Sequence, residues 1–182
     1  MSREKNKNAE KYPSSSIMLE ISKEEHLREM QRSQALDNKS SVFIAGLIAV
    51  ITIFMPLIPF EKIILVYKED SKPIIVLTTI VLCALVSSII LFIKAFYKLF
   101  KAFNLKFYAS INIENLCDEE NLKEEADITN VELVKHYNKI LSENISINDA
   151  KADSIAKGFE YSIFAFFILS LSAIFLQILT GV

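Results

Sequence analysis

Three blocks of uncharged residues dominate the hydrophobic pattern of this chain. The first lies between Ser40 and Phe60 around VFIAGLIAVITIF, the second is PIIVLTTIVLCALVSSIILFI from Pro73 to Ile93, and the third is YSIFAFFILSLSAIFLQILTGV from Tyr161 to Val182. Each holds about 20 residues, which as a helix spans about 30 Å, the thickness of a bilayer's hydrocarbon core. The pattern therefore predicts an all-α membrane protein with three transmembrane helices, at 42–60, 73–93 and 161–180. The first block is not a cleavable leader, because a long polar stretch precede it and no small-residue cleavage site follows.

The polar segments carry a second pattern. Residues 1–16 (MSREKNKNAEKYPSSS) are poor in hydrophobics and read as a disordered tail. A cytoplasmic helix is expected over 17–41, with Ser22 and Glu25 placed as a capping box. Residues 61–72 read as a short periplasmic loop. The 94–160 region is expected to be cytoplasmic and mostly helical, interrupted by an acidic loop at 113–127 that holds seven carboxylates against Lys123 alone. Thr129 and Glu132 form a second capping box that opens the last helix, with a bend expected near Asn148 or Gly158.

Charge sets the orientation. Only Lys62, Lys68 and Lys72 lie between the first two spans, whereas the other seventeen of the twenty Lys and Arg residues flank the opposite ends. Basic residues accumulate on the cytoplasmic side, so the N-terminus and the 94–160 region are expected inside and the C-terminus outside.

Composition narrows the function. Cys83 and Cys117 have no metal-ligand spacing, and His26 and His136 each lack a companion. No Gly-rich loop and no nucleophile-elbow serine occurs. The expectation is a protein that is not an enzyme, with no catalytic residues, no metal and no cofactor.

Helical spacing assigns faces. At about 100° per residue, Thr79, Cys83, Ser87, Lys94, Lys98 and Lys101 fall on one side of the second helix, while Phe92, Phe96, Phe100, Phe103 and Phe107 fall opposite. The Thr79–Cys83–Ser87 stripe reads as a helix contact or a pore wall, and the lysines as lipid-phosphate snorkels or a vestibule for anions. Arg28, Arg32 and Lys39 share a face below the first span, and Ala45, Ala49, Thr52 and Pro56 form a small face within it. In the third span Gln177 is a lone amide that seeks a partner in lipid. Three helices of this length enclose no pore alone, so conduction requires a homo-oligomer, with a tetramer expected.

The stretch QALDNKSSVFIAGLIAVITI (34–53) resembles the start of the Pycsar transmembrane effector family, in which an Asp-x-Lys followed by small residues leads into the first span. Asp37 and Lys39, followed by Ser40 and Ser41, occupy that motif here. The block YNKILSENISINDAKADSIAKGFEYSIFAFFILSLSAIF (137–175) is similar as well, a polar helix ending in a lysine just before the last span. The resemblance covers roughly residues 25–182. It implies an effector of bacterial antiviral defence (abortive infection) in the inner membrane, switched by a nucleotide second messenger or oligonucleotide from a companion synthase. Duplex nucleic acid is not an expected partner. This chain departs from the family in having no separate ligand-sensing domain. A nucleotide would therefore bind the cytoplasmic helical extensions, through Arg28, Arg32, Lys39, Lys94, Lys98 and Lys101, with Tyr97, Phe100 and Tyr108 available for stacking. A holin-like channel without a ligand, and a membrane anchor for a soluble partner, use the same elements and remain as alternatives.

Overall fold

The computed structural model describes residues 12–69, 71–105 and 125–180. All regular structure among them is helical: α1 (Ser15–Phe54), a single 3-10 turn (Met55–Leu57), α2 (Phe60–Glu69), α3 (Lys72–Asn104) and α4 (Ala126–Leu179). Three of these, α1 continued through the turn, α3 and α4, are long and apolar enough to cross a membrane. With 40, 33 and 54 residues they are all longer than their apolar runs. Most of the expected acidic loop, together with Phe107, Tyr108 and Cys117, lies outside the described residues, as do residues 1–11.

Both helix starts precede the capping boxes. Helix α1 begins at Ser15, two residues after Pro13, and Ser22 is buried inside it. Nothing in SSIMLEI breaks a helix, and a preceding proline favours a helix start. Helix α4 begins at Ala126, so the Thr129 hydroxyl donates back to the carbonyl of Glu125. No break occurs at Asn148 or Gly158.

The chain divides into two compact units, Met1–Ala35 with Lys106–Asp149, and Leu36–Leu105 with Ala150–Val182. In the first unit, α1 and α4 run side by side in the same direction. The Tyr12 amide donates to Asp127 Oδ2 at 2.8 Å, His26 meets Tyr137 edge-on at 5.7 Å, and Asn148 Nδ2 donates to the Glu29 carbonyl at 2.9 Å and to Glu29 Oε2 at 2.7 Å. Their inner rows follow alternating steps of three and four residues, including Ser15, Leu19, Ser22 and Ser33 on α1 and Asn144 and Asn148 on α4. That spacing is the seam of a left-handed coiled coil.

The second unit repeats the spacing with other residues. On α3 the buried row is Thr78, Val81, Leu85, Ser88, Phe92, Ala95, Leu99 and Ala102, and on α4 it includes Lys151, Ile155, Gly158, Ala165, Leu169, Ser172 and Leu176. Small residues let the backbones approach. A β-carbon on Gly158 would lie 2.8 Å from Leu99 Cγ and 3.4 Å from the Ala95 carbonyl oxygen. Two hydroxyls cross between helices: Ser40 Oγ donates to the Leu99 carbonyl at 3.0 Å, and Ser88 Oγ to the Ala165 carbonyl at 2.8 Å. Close approach and such hydrogen bonds hold helices together where hydrocarbon supplies no hydrophobic drive.

Residues 61–69, expected as part of the 61–72 loop, belong to helix α2 instead, which begins at Phe60. The segment FEKIILVYKE has no breaker after Pro59, and it buries Ile63 and Val66 on one side. Ile58 and Ile63 join Val81, Leu85 and Leu176 in one apolar cluster, so α2 packs back along α3.

Candidate functional site

The lysine face is built by the inner end of α3. The buried row Phe92, Ala95, Leu99 and Ala102 fixes the helix rotation, which leaves Lys94 and Lys101 exposed and Lys98 half-buried. The Ser40–Leu99 hydrogen bond brings exposed Lys39 of α1 to the level of Lys98 and Lys101. None of these four lysines is in an ion pair with a carboxylate among the described residues. Their field still reaches α4: Asp153 is held below the ordinary aspartate range, chiefly by its hydrogen bond from Lys157 at 2.8 Å and further by the charges of Lys157, Lys98 and Lys101. A concentration of positive charge that depresses a neighbouring carboxyl is also one that attracts an anion.

On the side of α3 away from these lysines, α1 and α3 enclose an open apolar cleft of about 260 Å³, lined by Ser41, Ile44, Ala45, Ile48, Phe100 and Phe103. Phe100 and Phe96 stack at 6.4 Å, while Tyr97 stands exposed. Cations in no ion pair with a described carboxylate, with exposed Tyr97 on the same stretch of helix, suit a ligand with a flat base and a phosphate. Tyr108 lies outside the described residues.

The two arginines belong to the other unit and already have partners. Arg28 pairs with Glu25 at 2.6 Å and Glu24 at 4.0 Å. Arg32 pairs with Asp149 at 2.7 Å and Glu29 at 3.5 Å, and the bond to Asp149 raises its pKa above the ordinary arginine value. An anion reaching either guanidinium would have to displace a carboxylate.

No family model, curated protein or solved structure matches this chain. The site must be read from its own geometry.

Within that geometry Asp37 has a specific role. Its Oδ1 accepts a hydrogen bond at 3.0 Å from Nζ of Lys151, whose side chain is only 1% exposed. Lys151 occupies a seam position of α4, so its charge is drawn out of solvent and held against a half-buried carboxylate. Asp37 lies in the 34–53 segment and Lys151 in the 137–175 block, so the two stretches meet through this pair. Nothing in the spacing of either helix pointed to Lys151, because a lysine at a single seam position looks like any surface lysine until the partner helix is placed.

The Thr79–Cys83–Ser87 stripe lies on the outside of the chain. Its hydroxyls are satisfied locally: Thr79 Oγ1 donates to the Ile75 carbonyl at 2.8 Å and meets the Tyr67 hydroxyl at 2.7 Å, and Ser87 Oγ donates to the Cys83 carbonyl at 2.9 Å. The polar residues that contact other helices are Thr78 and Ser88, one position away on either side. Gln177 is half-buried, and its side-chain amide makes no hydrogen bond among the described residues. The small face of α1 (Ala45, Ala49, Thr52 and Pro56) is likewise exposed. Among the described residues no group of His, Cys, Asp and Glu is placed to hold a metal ion.

Proposed function

We propose that this protein is an oligomeric membrane effector of a bacterial antiviral system, opened or closed by a nucleotide signal made by a companion synthase. The observation that carries the proposal is the set of four lysines in no ion pair with a described carboxylate, Lys39, Lys94, Lys98 and Lys101, with exposed Tyr97 on the same stretch of α3. Nucleotides are anions with flat bases, and both features match that chemistry. The resemblance of 34–53 and 137–175 to Pycsar transmembrane effectors supplies the biological setting. The chain sits in the inner membrane with its N-terminus and the 94–160 region in the cytoplasm, as the lysine asymmetry requires.

Oligomerisation follows from the surfaces that one chain leaves unused. Cys83, Ser87 and the small face of α1 are exposed, the Gln177 amide makes no hydrogen bond among the described residues, and copies around an axis, most simply four, would bring them together. Gating then needs the nucleotide to bind one arrangement of helices more tightly than the other. Arg28 and Arg32 act as a reserve of positive charge that becomes available when their carboxylate pairs separate.

Purification in mild detergent with identification of any bound nucleotide tests the proposal. Wild-type protein made with its synthase is expected to retain a nucleotide, and the Lys94→Gln, Lys98→Gln, Lys101→Gln triple variant to lose it. Native mass spectrometry is expected to give a homo-oligomer, and a monomer would refute every pore arrangement. An engineered cysteine at position 71 should react with an impermeant reagent in intact cells and one at 121 should not.

A second reading is favoured by Ile17, Met18 and Ile21, which are exposed near the start of α1 and outside its apolar run. A membrane anchor would use such a surface to hold a soluble protein. A tightly bound soluble enzyme on purification supports the anchor, whereas a neighbouring phage lysis cassette supports the holin-like channel.

A further inference from the structure

Helix α2 carries charge to an unexpected depth. It does not extend beyond the outer end of α3 but lies beside it. Ile58 and Ile63 share a buried cluster with Val81, Leu85 and Leu176, and Met55 and Ile58 line an apolar cleft with Leu85 and Ile89. The Phe54 ring meets Phe166 at 5.5 Å, only a short way into the apolar run of α4. Helix α3 begins at Lys72, so Val81 and Leu85 are roughly 14 and 20 Å along it from that end. Glu61 and Lys62, between Ile58 and Ile63, therefore sit near the middle of the uncharged run 73–93. Both are exposed, and neither is in an ion pair with a described residue.

The faces of α2 are sorted. Ile63 and Val66 pack inward, while Phe60, Ile64 and Tyr67 form an exposed apolar row. Glu61, Lys62 and Lys68 occupy the remaining side, with exposed Leu65 between Glu61 and Lys62. A charged side chain at the centre of a span is costly in hydrocarbon, so such residues face protein or water rather than lipid. The backbone points the same way. Between Phe54 and Phe60 the helix is broken by Pro56 and Pro59, Ile58 is extended, and Met55 and Leu57 are exposed. Broken backbone at membrane depth is tolerated only where protein covers it or water reaches it.

We propose that the Glu61–Lys62 side of α2 faces water inside the membrane and forms one wall of an ion path, with a second copy of this chain closing the other side. This rests on the oligomeric pore reading for what encloses the water. The first span is thus a broken one, in which α1 enters from the inner side and α2 completes the crossing along α3.

Cysteine accessibility tests the placement. In full-length protein with Cys83 and Cys117 replaced by serine, reconstituted in liposomes, Glu61→Cys and Lys62→Cys should react with a small charged thiol reagent at least tenfold faster than Ile64→Cys. Equally slow reaction at all three positions overturns the proposal, because the charged side is then dry. Equally fast reaction at all three also overturns it, because α2 then lies outside the hydrocarbon. Should Glu61→Cys fail to insert, Lys62→Cys carries the same comparison. In a flux assay the same liposomes with Glu61→Lys should change the cation-to-anion permeability ratio severalfold, and an unchanged ratio in a leaking variant counts against the path. Absence of any leak from wild-type liposomes, with the labelling contrast intact, defeats the oligomeric pore reading while leaving α2 as a water-facing segment inside the membrane.

Discussion

The two units of this protein use one spacing and two vocabularies. Both are built on helices whose inner rows advance by three and four residues. In the first unit that row holds Ser15, Leu19, Ser22, Ser33, Asn144 and Asn148, mostly polar, whereas in the second Leu47, Leu85, Phe92, Leu99, Ala165, Leu169 and Leu176 outnumber Thr78, Ser88 and Lys151. Spacing alone sets the geometry of helix pairing; residue type sets what drives it. An extramembrane coiled coil normally gains stability from an apolar seam, and a seam of serine and asparagine forgoes most of that gain. The first unit is held instead by directional contacts such as Asn148 to Glu29 and Arg32 to Asp149. A region with few buried apolar contacts opens at low free-energy cost.

The sharpest way to break this comparison is at Lys151, the charged residue within the second unit's seam. Lys151→Ala leaves Asp37 half-buried without its partner, and removing one member of a buried pair costs about 3–5 kcal/mol. The expected loss is near the lower limit, because Asp37 keeps 29% exposure. Thermal unfolding in detergent measures it. The Asp37→Leu, Lys151→Met double variant should recover most of the stability, and failure to recover would mean the pair does more than compensate two buried charges.

A smaller effect is expected from Gly158→Leu, which places side-chain atoms where Leu99 now packs. Overpacking of this kind costs about 1–3 kcal/mol. Adding Leu99→Ala should restore part of the loss if the two residues meet as described. Smaller still is Ser88→Ala, which removes one interhelical hydrogen bond worth about 0.6 kcal/mol. Asp153→Asn should leave stability unchanged within error, because this carboxylate is fully exposed. Its depressed pKa means that any contribution is present above the ordinary aspartate range and disappears as the pH falls through the folded-state value. A large destabilisation by Asp153→Asn at neutral pH would show that the lysine field around it is buried rather than open.

The three long helices were legible from length and absence of charge alone. Their rotation was not. Thr79, Cys83 and Ser87 share a face with the lysines and look like a contact stripe, yet the row that packs within the chain is Thr78, Val81, Leu85 and Ser88. Polar residues at 78, 79, 87 and 88 stand on adjacent faces, so small size identifies no single one; the unbroken alternation of three and four does. Helix α2 was hidden by its shortness and its charges, which imitate a loop when read without the packing of Ile63 and Val66. The Asp37–Lys151 pair joins positions 114 apart, and no local periodicity signals such a contact. Phe96 and Phe100, on the face of α3 opposite the lysines, are half-buried and exposed in one chain. Their full burial, and the loss of about 3–5 kcal/mol that truncating a buried ring brings, would require a neighbouring copy.

The central claim is that the lysine row of α3 receives an anionic signal. It is tested most directly by membrane depolarisation in cells that make the wild type or the Lys94→Gln, Lys98→Gln, Lys101→Gln variant, each with and without the proposed companion synthase and at matched protein level. The substitutions keep polarity and helix propensity while removing three charges from exposed or half-buried positions, so insertion and assembly should be unaffected. Charge-assisted contacts are worth about 1.5–3 kcal/mol each, so the variant should lose synthase-dependent depolarisation that the wild type retains. Equal depolarisation in both proteins would contradict the claim and leave the lysines as anchors to lipid phosphates.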